Sequence, residues 1–226
     1  MDRARRASRI VARLERAYPE ARCALLFSNP LECLVATVLS AQCTDARVNV
    51  VTRDLFRRHR TAAEYAAVPR EQLEAEIRPT GFFRSKARSI QGICEALVRD
   101  HGGKVPASID DLIALPGVGR KTANLVLGEA FGIASGIVVD THVHRVSRRL
   151  GLTRHDDPEK IEADLAALVP RDEWIAFGTR MIAHGRSLCA ARKPRCADCP
   201  LLEECPFGLK EGAQGGAPRR KPRRMG

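Results

Sequence analysis

Lys121 lies in the stretch "LPGVGRKTAN", Leu115–Asn124, two residues past Gly119 and beside Arg120. An amine in the first turn of a helix, next to a second cation, has its charged form disfavoured by the helix dipole and by its neighbour. Burial would add to both. A neutral amine is a nucleophile that forms Schiff bases with sugar carbonyl carbons. Lysine in such a place more commonly neutralises a phosphate, so residue type alone leaves both uses open. Asp140 precedes Thr141 and a helix-like run. It suits an N-cap. It equally suits a carboxylate that stabilises an oxocarbenium-like sugar and assists proton transfer. Spacing along the chain does not place it next to Lys121.

The glycines before the lysine speak of phosphate. A nucleotide-binding P-loop requires glycine directly before the lysine and a strand before the turn. Arg120 occupies that position here, and no strand pattern precedes it. The other reading is two helices meeting at a tight L-P-G-V-G turn, where glycine takes backbone conformations barred to other residues. Gly117, Val118 and Gly119, with Arg120 and Thr122 at the start of the next helix, then form the expected phosphate grip. Backbone N–H groups and the positive end of the helix face the anion. Such contacts ignore base identity.

The eight cysteines are of two kinds. Cys23, Cys33, Cys43 and Cys94 stand singly in apolar or helical contexts, where small buried thiols are the default. Cys189, Cys196, Cys199 and Cys205 form a C-x6-C-x2-C-x5-C array in "CAARKPRCADCPLLEEC". Inside a cell this is a metal site more often than a disulfide framework. Zinc usually takes two C-x2-C pairs, and this array has one. Four thiolates on a short, proline-broken loop suit a [4Fe–4S] cluster, with zinc as the alternative. Arg192, Lys193 and Arg195 within the array would make the loop a basic surface for DNA.

Helices must position these groups. Aromatics are only 4% of the 226 residues against 44% hydrophobic, so the core is built from Ala, Leu, Val and Ile, which favours packed helices. Asn29-Pro30 reads as a cap and first helical position for "LECLVATVLSA". Helical periodicity continues over Asp45–His59, Ala62–Ala67, Arg70–Ile77 and Ser85–Asp100. Ser108 caps "IDDLIAL", and further helices fit His142–Leu150, Pro158–Leu168 and Asp172–His184. Ile10, Val11, Leu14, Ala17 and Tyr18 mark an amphipathic N-terminal helix. With no alternating strand pattern, the class is all-α.

The net charge is +11 with a pI near 9.7, which calls for a polyanionic partner. Six basic residues against Glu211 in the segment from Lys210 contribute +5, which leaves +6 on the body. That segment, 210–226, is expected to be a disordered basic tail. No apolar run approaches the roughly 20 residues that span a membrane, and the N-terminus has no secretory h-region. The expected location is cytoplasmic and nucleoid-associated, and a monomer is expected.

Taken together, "LPGVGRKTAN", "VDTHVHR", "VLSAQCTD" and the cysteine array preceded by "HGR" resemble the endonuclease III family of DNA repair glycosylases. The resemblance runs from about residue 8 to residue 207. It implies a two-domain helix–hairpin–helix glycosylase fold: a six-helix domain over 24–134 with the hairpin, and a discontinuous domain over 1–23 and 135–209 with a [4Fe–4S] loop. It implies double-stranded DNA carrying damaged pyrimidines or abasic sites as the partner. The damaged base is flipped out. Lys121 attacks the sugar C1′ with help from Asp140, and the Schiff base then nicks the strand by β-elimination. By motif position Gln42, Phe82 and His142 fill the gap left in the stack. At Phe82 this sequence departs from the family's common leucine. A core aromatic is the alternative there. The cysteine array would hold the cluster, which orders the basic loop rather than acting on the sugar.

Three other functions compete. A monofunctional adenine glycosylase shares the hairpin and array but lacks the lysine at position 121 and carries a further C-terminal domain, both of which argue against it. A glycosylase for pyrimidine dimers or mismatched bases differs in pocket shape, which spacing does not encode. A non-catalytic damage-sensing protein needs neither Lys121 nor Asp140.

Overall fold

The computed structural model describes residues 3–214, which are helical with no strand. The helices are α1 (Arg3–Ala17), α2 (Pro30–Ser40), α3 (Asp45–Arg58), α4 (Ala62–Ala67), α5 (Arg70–Ile77), α6 (Phe83–His101), α7 (Ile109–Ala114), α8 (Arg120–Phe131), α9 (Thr141–Arg149), α10 (Pro158–Ala166), α11 (Trp174–Ser187) and α12 (Pro206–Gln214). The chain divides into two compact units. One comprises Arg22–Val138 with Arg171–Ile175, and the other Met1–Ala21, Val139–Pro170 and Ala176–Gly226.

The hairpin unit is built around α2. Asn29 accepts the N–H of Glu32 and Pro30 opens the helix, as its sequence dictates. Leu31, Leu34, Val35 and Leu39 are buried on it, and it packs on α3, α6 and α8. Helix α6 adds Ile90, Ile93, Cys94 and Leu97 to the same core. Thr61 and Glu64 form a reciprocal capping box on α4. Helix α6 starts at Phe83, two residues before the expected Ser85, because the ring of Phe83 packs on this core.

In the other unit, α1 buries Ala7, Ile10 and Leu14, while Ala17, expected on that face, is exposed. Arg9 donates to both carboxylate oxygens of Glu204, at 2.6 and 2.9 Å, which holds α1 to the loop before Cys205. The segment expected as one helix over Asp172–His184 is instead a 3₁₀ turn, Arg171–Glu173, followed by α11, which continues to Ser187.

The segment from Lys210 needs one correction. Helix α12 runs to Gln214, so the expected tail begins as helix. Pro206 stands at its first position, where its fixed φ favours a helix, and Phe207 stacks under the guanidinium of Arg149 at 4.4 Å. The rest of that expectation, 215–226, lies outside the described residues. No helix among the described residues is long and apolar enough to cross a membrane.

Candidate active site and nucleic-acid interface

The hairpin joins α7 to α8 through Leu115–Gly119. Val118 is buried and donates its N–H to the Leu115 carbonyl at 3.1 Å, which pins the turn. Gly117 has φ +75, a left-handed conformation that L-residues resist. Gly119 differs. Its φ of −86 and ψ of 167 are open to any residue, and a Cβ there would meet nothing within 4 Å. Neither conformation nor internal packing requires glycine at 119.

Helix α8 also starts without a side-chain cap. Six other helices are capped by the side chains of Asn29, Thr44, Thr61, Ser108, Asp140 and Asp157. The first-turn N–H groups of a helix lack intrahelical acceptors, and its dipole presents positive charge there, so the start of α8 can receive an anion. Arg120 and Lys121 are exposed in this turn and Thr122 is half-buried. Behind the turn, Asn124 is buried and accepts the hydroxyl of Ser135 at 2.8 Å, which fixes the far side of the helix.

Among the described residues, three other than glycine have positive φ: Gln42 (52), Phe82 (49) and Lys193 (51). All three belong to the set that sequence motifs assign to DNA. Non-glycine residues hold such conformations only where their surroundings force them, which is common at functional sites. Gln42 is exposed in the turn after α2. Phe82 is 65% exposed, which removes the core-aromatic alternative. The core aromatic is its neighbour Phe83, whose ring is approached by the guanidinium groups of Arg78 and Arg84 at 5.8 and 5.7 Å.

Asp140 and His142 lie in the other unit. Oδ1 of Asp140 caps α9, accepting the N–H groups of His142 and Val143 at 2.8 Å each. The ring Nδ1 of His142 is 3.1 Å from Nη2 of Arg145, which also donates to the Gly185 carbonyl at 3.0 Å. A Cβ on Gly185 would stand 2.9 Å from Cβ of His142, so that glycine makes room for α9.

In the same unit the four array cysteines line one cavity, together with Arg149 and His184. Their sulfurs face N–H donors. Arg149 Nη1 is 3.2 Å from Cys189 Sγ, the Leu201 N–H donates to Cys199 Sγ at 3.4 Å, and that of Gly208 to Cys205 Sγ at 3.3 Å. Such donors suit thiolates that bind a metal cluster. Burial pushes the Cys199 thiol up to about 11 and raises that of Cys205. Among the described residues no three Cys, His, Asp or Glu side chains form a metal-holding group. Arg192 and Lys193 are exposed on the loop, whereas Arg195 braces it by donating to the Ser187 carbonyl at 2.7 Å.

Residues 35–171 match the family model described as HhH-GPD superfamily base excision DNA repair protein. An endonuclease III of Synechocystis sp. is 51% identical over 201 residues, 89% of this chain and 92% of that protein. An endonuclease III of Bacillus subtilis is 48% identical over 199 residues, 88% and 90% respectively. The solved structure of a trapped endonuclease III–DNA covalent intermediate superposes with a TM-score of 0.89 at 47% identity, covering 94% of this chain and 100% of that one. The chain belongs to the endonuclease III family.

The HhH-GPD match contains Gln42, Phe82, Lys121, Asp140 and His142 and ends before the cysteine array. Two supporting residues of this chain stand outside the candidate site set. His184 is buried, with Nδ1 2.9 Å from the Tyr18 hydroxyl and Nε2 3.7 Å from Cys199 Sγ. Burial pulls its imidazole down to about 4, so it stands neutral beside the sulfur. Its signal in the sequence is "HGR", His184–Arg186, three residues before Cys189. Lys86 is the other. It is a lysine beside Ala87 and Ile90 on the buried face of α6, a place where charge is rare.

Proposed function

We propose that the protein is a bifunctional DNA glycosylase and abasic-site lyase that excises oxidised pyrimidines from duplex DNA. The observation that carries this reading is Lys121, exposed one residue into α8, just past the uncapped, glycine-lined helix start. The first-turn N–H groups and the positive end of α8 hold a backbone phosphate without regard to sequence. Arg120 and Thr122 add contacts to the same strand, and the bare backbone of Gly119 lets it come close.

Base excision follows from nucleophilic substitution at the sugar. The Lys121 amine, deprotonated, donates its electron pair to C1′. The bond from C1′ to the base breaks with its electrons leaving on the base, which takes up a proton. Asp140 offers negative charge that stabilises the cationic sugar as this happens. The attached nitrogen gives up a proton, O4′ takes one up as the sugar ring opens, and a protonated Schiff base then joins Lys121 to C1′. Loss of a C2′ proton and departure of the 3′ phosphate complete β-elimination and cut the strand. Gln42, Phe82 and His142 occupy the space of the extruded nucleotide. In place of a leucine, the ring of Phe82 fills more of that space.

Cys189, Cys196, Cys199 and Cys205 would hold a [4Fe–4S] cluster. Their shared cavity and the N–H groups directed at their sulfurs support thiolate ligands, and the single C-x2-C pair of the array favours the cluster over zinc. Bound there, the cluster would cross-link the loop that carries Arg192 and Lys193, whose charges then meet DNA phosphates.

Borohydride trapping tests the reading. Protein mixed with duplex DNA containing one oxidised pyrimidine should give a covalent complex, and Lys121→Ala should give none. Base release without trapping would make the enzyme monofunctional and move Lys121 to phosphate binding. Tight binding of damaged DNA with neither reaction would leave a damage sensor.

A further inference from the structure

Lys86 is a buried cation that takes no part in the chemistry above. It lies in the first turn of α6, with 5% of its surface exposed. Two features make that place costly. The ammonium has left water, and it sits near the positive end of its own helix. Burial accordingly lowers its pKa. Something must offset this, and the partners are specific. Nζ donates to the Leu39 carbonyl at 2.8 Å and to the Thr80 carbonyl at 2.8 Å.

Both carbonyls stand at helix ends. Leu39 is the penultimate residue of α2, and Thr80 closes the 3₁₀ turn Arg78–Thr80. The last carbonyls of a helix lack intrahelical donors and carry partial negative charge. One ammonium therefore satisfies the ends of two separate elements. Each leads directly into a strained residue. Gln42 follows Leu39 by three positions and Phe82 follows Thr80 by two, and both have left-handed backbones. The backbone of Lys86 also takes part, since its N–H donates to the Phe82 carbonyl at 3.0 Å.

We propose that Lys86 is a positioning residue that sets Gln42 and Phe82 as a pair, by tying the loop after α2 to the loop before α6 through one buried ammonium. Without it, each loop can relax out of its left-handed conformation independently of the other. The two side chains then reach the opened stack in no fixed relation. Lys86 does not compete with Lys121 as a nucleophile, because its amine is buried and donates to two carbonyls. The inference rests on the reading that Gln42 and Phe82 act on duplex DNA, and the experiment separates the two.

Lys86→Met keeps the stem and removes the donors. Single-turnover rates are measured on a duplex with one oxidised pyrimidine and on an abasic site in single-stranded DNA, where no stack must be opened. The expected result is a fall on the duplex of roughly tenfold to a hundredfold, as for other small misplacements of positioning groups. Strand nicking on the single strand stays at the wild-type rate. Circular dichroism establishes whether the variant folds. Should Lys86→Met not fold, Lys86→Gln, which keeps two N–H donors on a shorter stem, carries the same comparison and should show a smaller split. Equal losses on both substrates, no loss on either, or failure of both variants to fold would each overturn the inference and make Lys86 an ordinary core residue. If the wild-type protein itself neither releases base nor is trapped, it is the functional reading that fails.

Discussion

Oδ1 of Asp140 lies 2.8 Å from the backbone nitrogen of His142, and the same oxygen takes the N–H of Val143. The residue therefore does structural work at the start of α9, and its proposed chemical role must be separated from that. Asparagine caps a helix about as well as aspartate but carries no charge. Asp140→Asn should keep stability within roughly 0.5 kcal/mol and lower the single-turnover rate by about two to four orders of magnitude. Asp140→Ala should lose the rate and, in addition, about 1 kcal/mol of stability with the cap. Urea unfolding beside kinetics on one lesion duplex distinguishes the roles. Full activity in the asparagine variant would leave Asp140 as a cap alone.

The two hairpin glycines should respond in opposite ways. Gly117→Ala forces an L-residue to φ +75 and should cost roughly 1–2 kcal/mol. Gly119→Ser meets neither strain nor collision, since φ is −86 and the Cβ points into open space. Serine there can cap α8 as Thr61 caps α4, so the protein should gain a few tenths of a kcal/mol. The same side chain would fill the place of a phosphate, so duplex affinity should fall although the protein is more stable. Undiminished affinity would remove the anion from the start of α8.

The contrast between these glycines marks what a sequence can and cannot carry. Helix ends were legible because caps are local: Asn29-Pro30, Ser108 and Asp140 announce themselves within four residues of the bonds they make. The hairpin, Lys121 and the cysteine array were legible because each is contiguous. The left-handed backbones of Gln42 and Phe82 were not, since no local pattern marks them. Lys86 reaches Leu39 across 47 positions, and no periodicity encodes that. Phe82 and Phe83 are chemically alike, and only the fold decides that one packs inward while the other is left exposed. His184 was hidden for the same reason, since its partners Tyr18 and Cys199 come from opposite ends of the chain.

Acid should loosen the support beneath Phe82. Glu76 of α5 pairs with His59 at 2.7 Å and accepts from Arg58 at 3.2 Å, which joins the end of α3 to the helix that leads into Arg78–Thr80. Burial pushes its carboxyl up, but hydrogen bonds from His59, Gln72 and Arg58 outweigh this and hold it below the usual carboxylate range. A carboxylate with a depressed folded pKa stabilises the protein above its unfolded value, and that stability is lost as pH falls through the folded pKa. Wild type should therefore be more stable than Glu76→Gln near neutral pH. The gap should close as pH drops below the ordinary value of 4.5. Chemical denaturation of both proteins across that range measures it, and a gap independent of pH would mean that the carboxylate charge contributes nothing.

The cysteine-array loop should be visible in the salt dependence of DNA binding. Arg192 and Lys193 are exposed, and Lys193 is held with positive φ at the turn of the loop. Each phosphate neutralised by such a side chain adds about 0.9 to the slope of log affinity against log salt. The double variant Arg192→Ala, Lys193→Ala should therefore bind damaged and undamaged duplex more weakly by the same factor, with a slope smaller by about two. Arg195→Ala should behave differently, because its guanidinium braces the loop through the Ser187 carbonyl. Its main effect should be faster loss of the absorbance of the proposed cluster on standing, since the segment between Cys189 and Cys196 is then less constrained. A slope unchanged in the double variant would move DNA off this loop and leave the array a purely structural element. A slope that falls only when the cluster is lost would mean that the metal orders the two cations that do the binding.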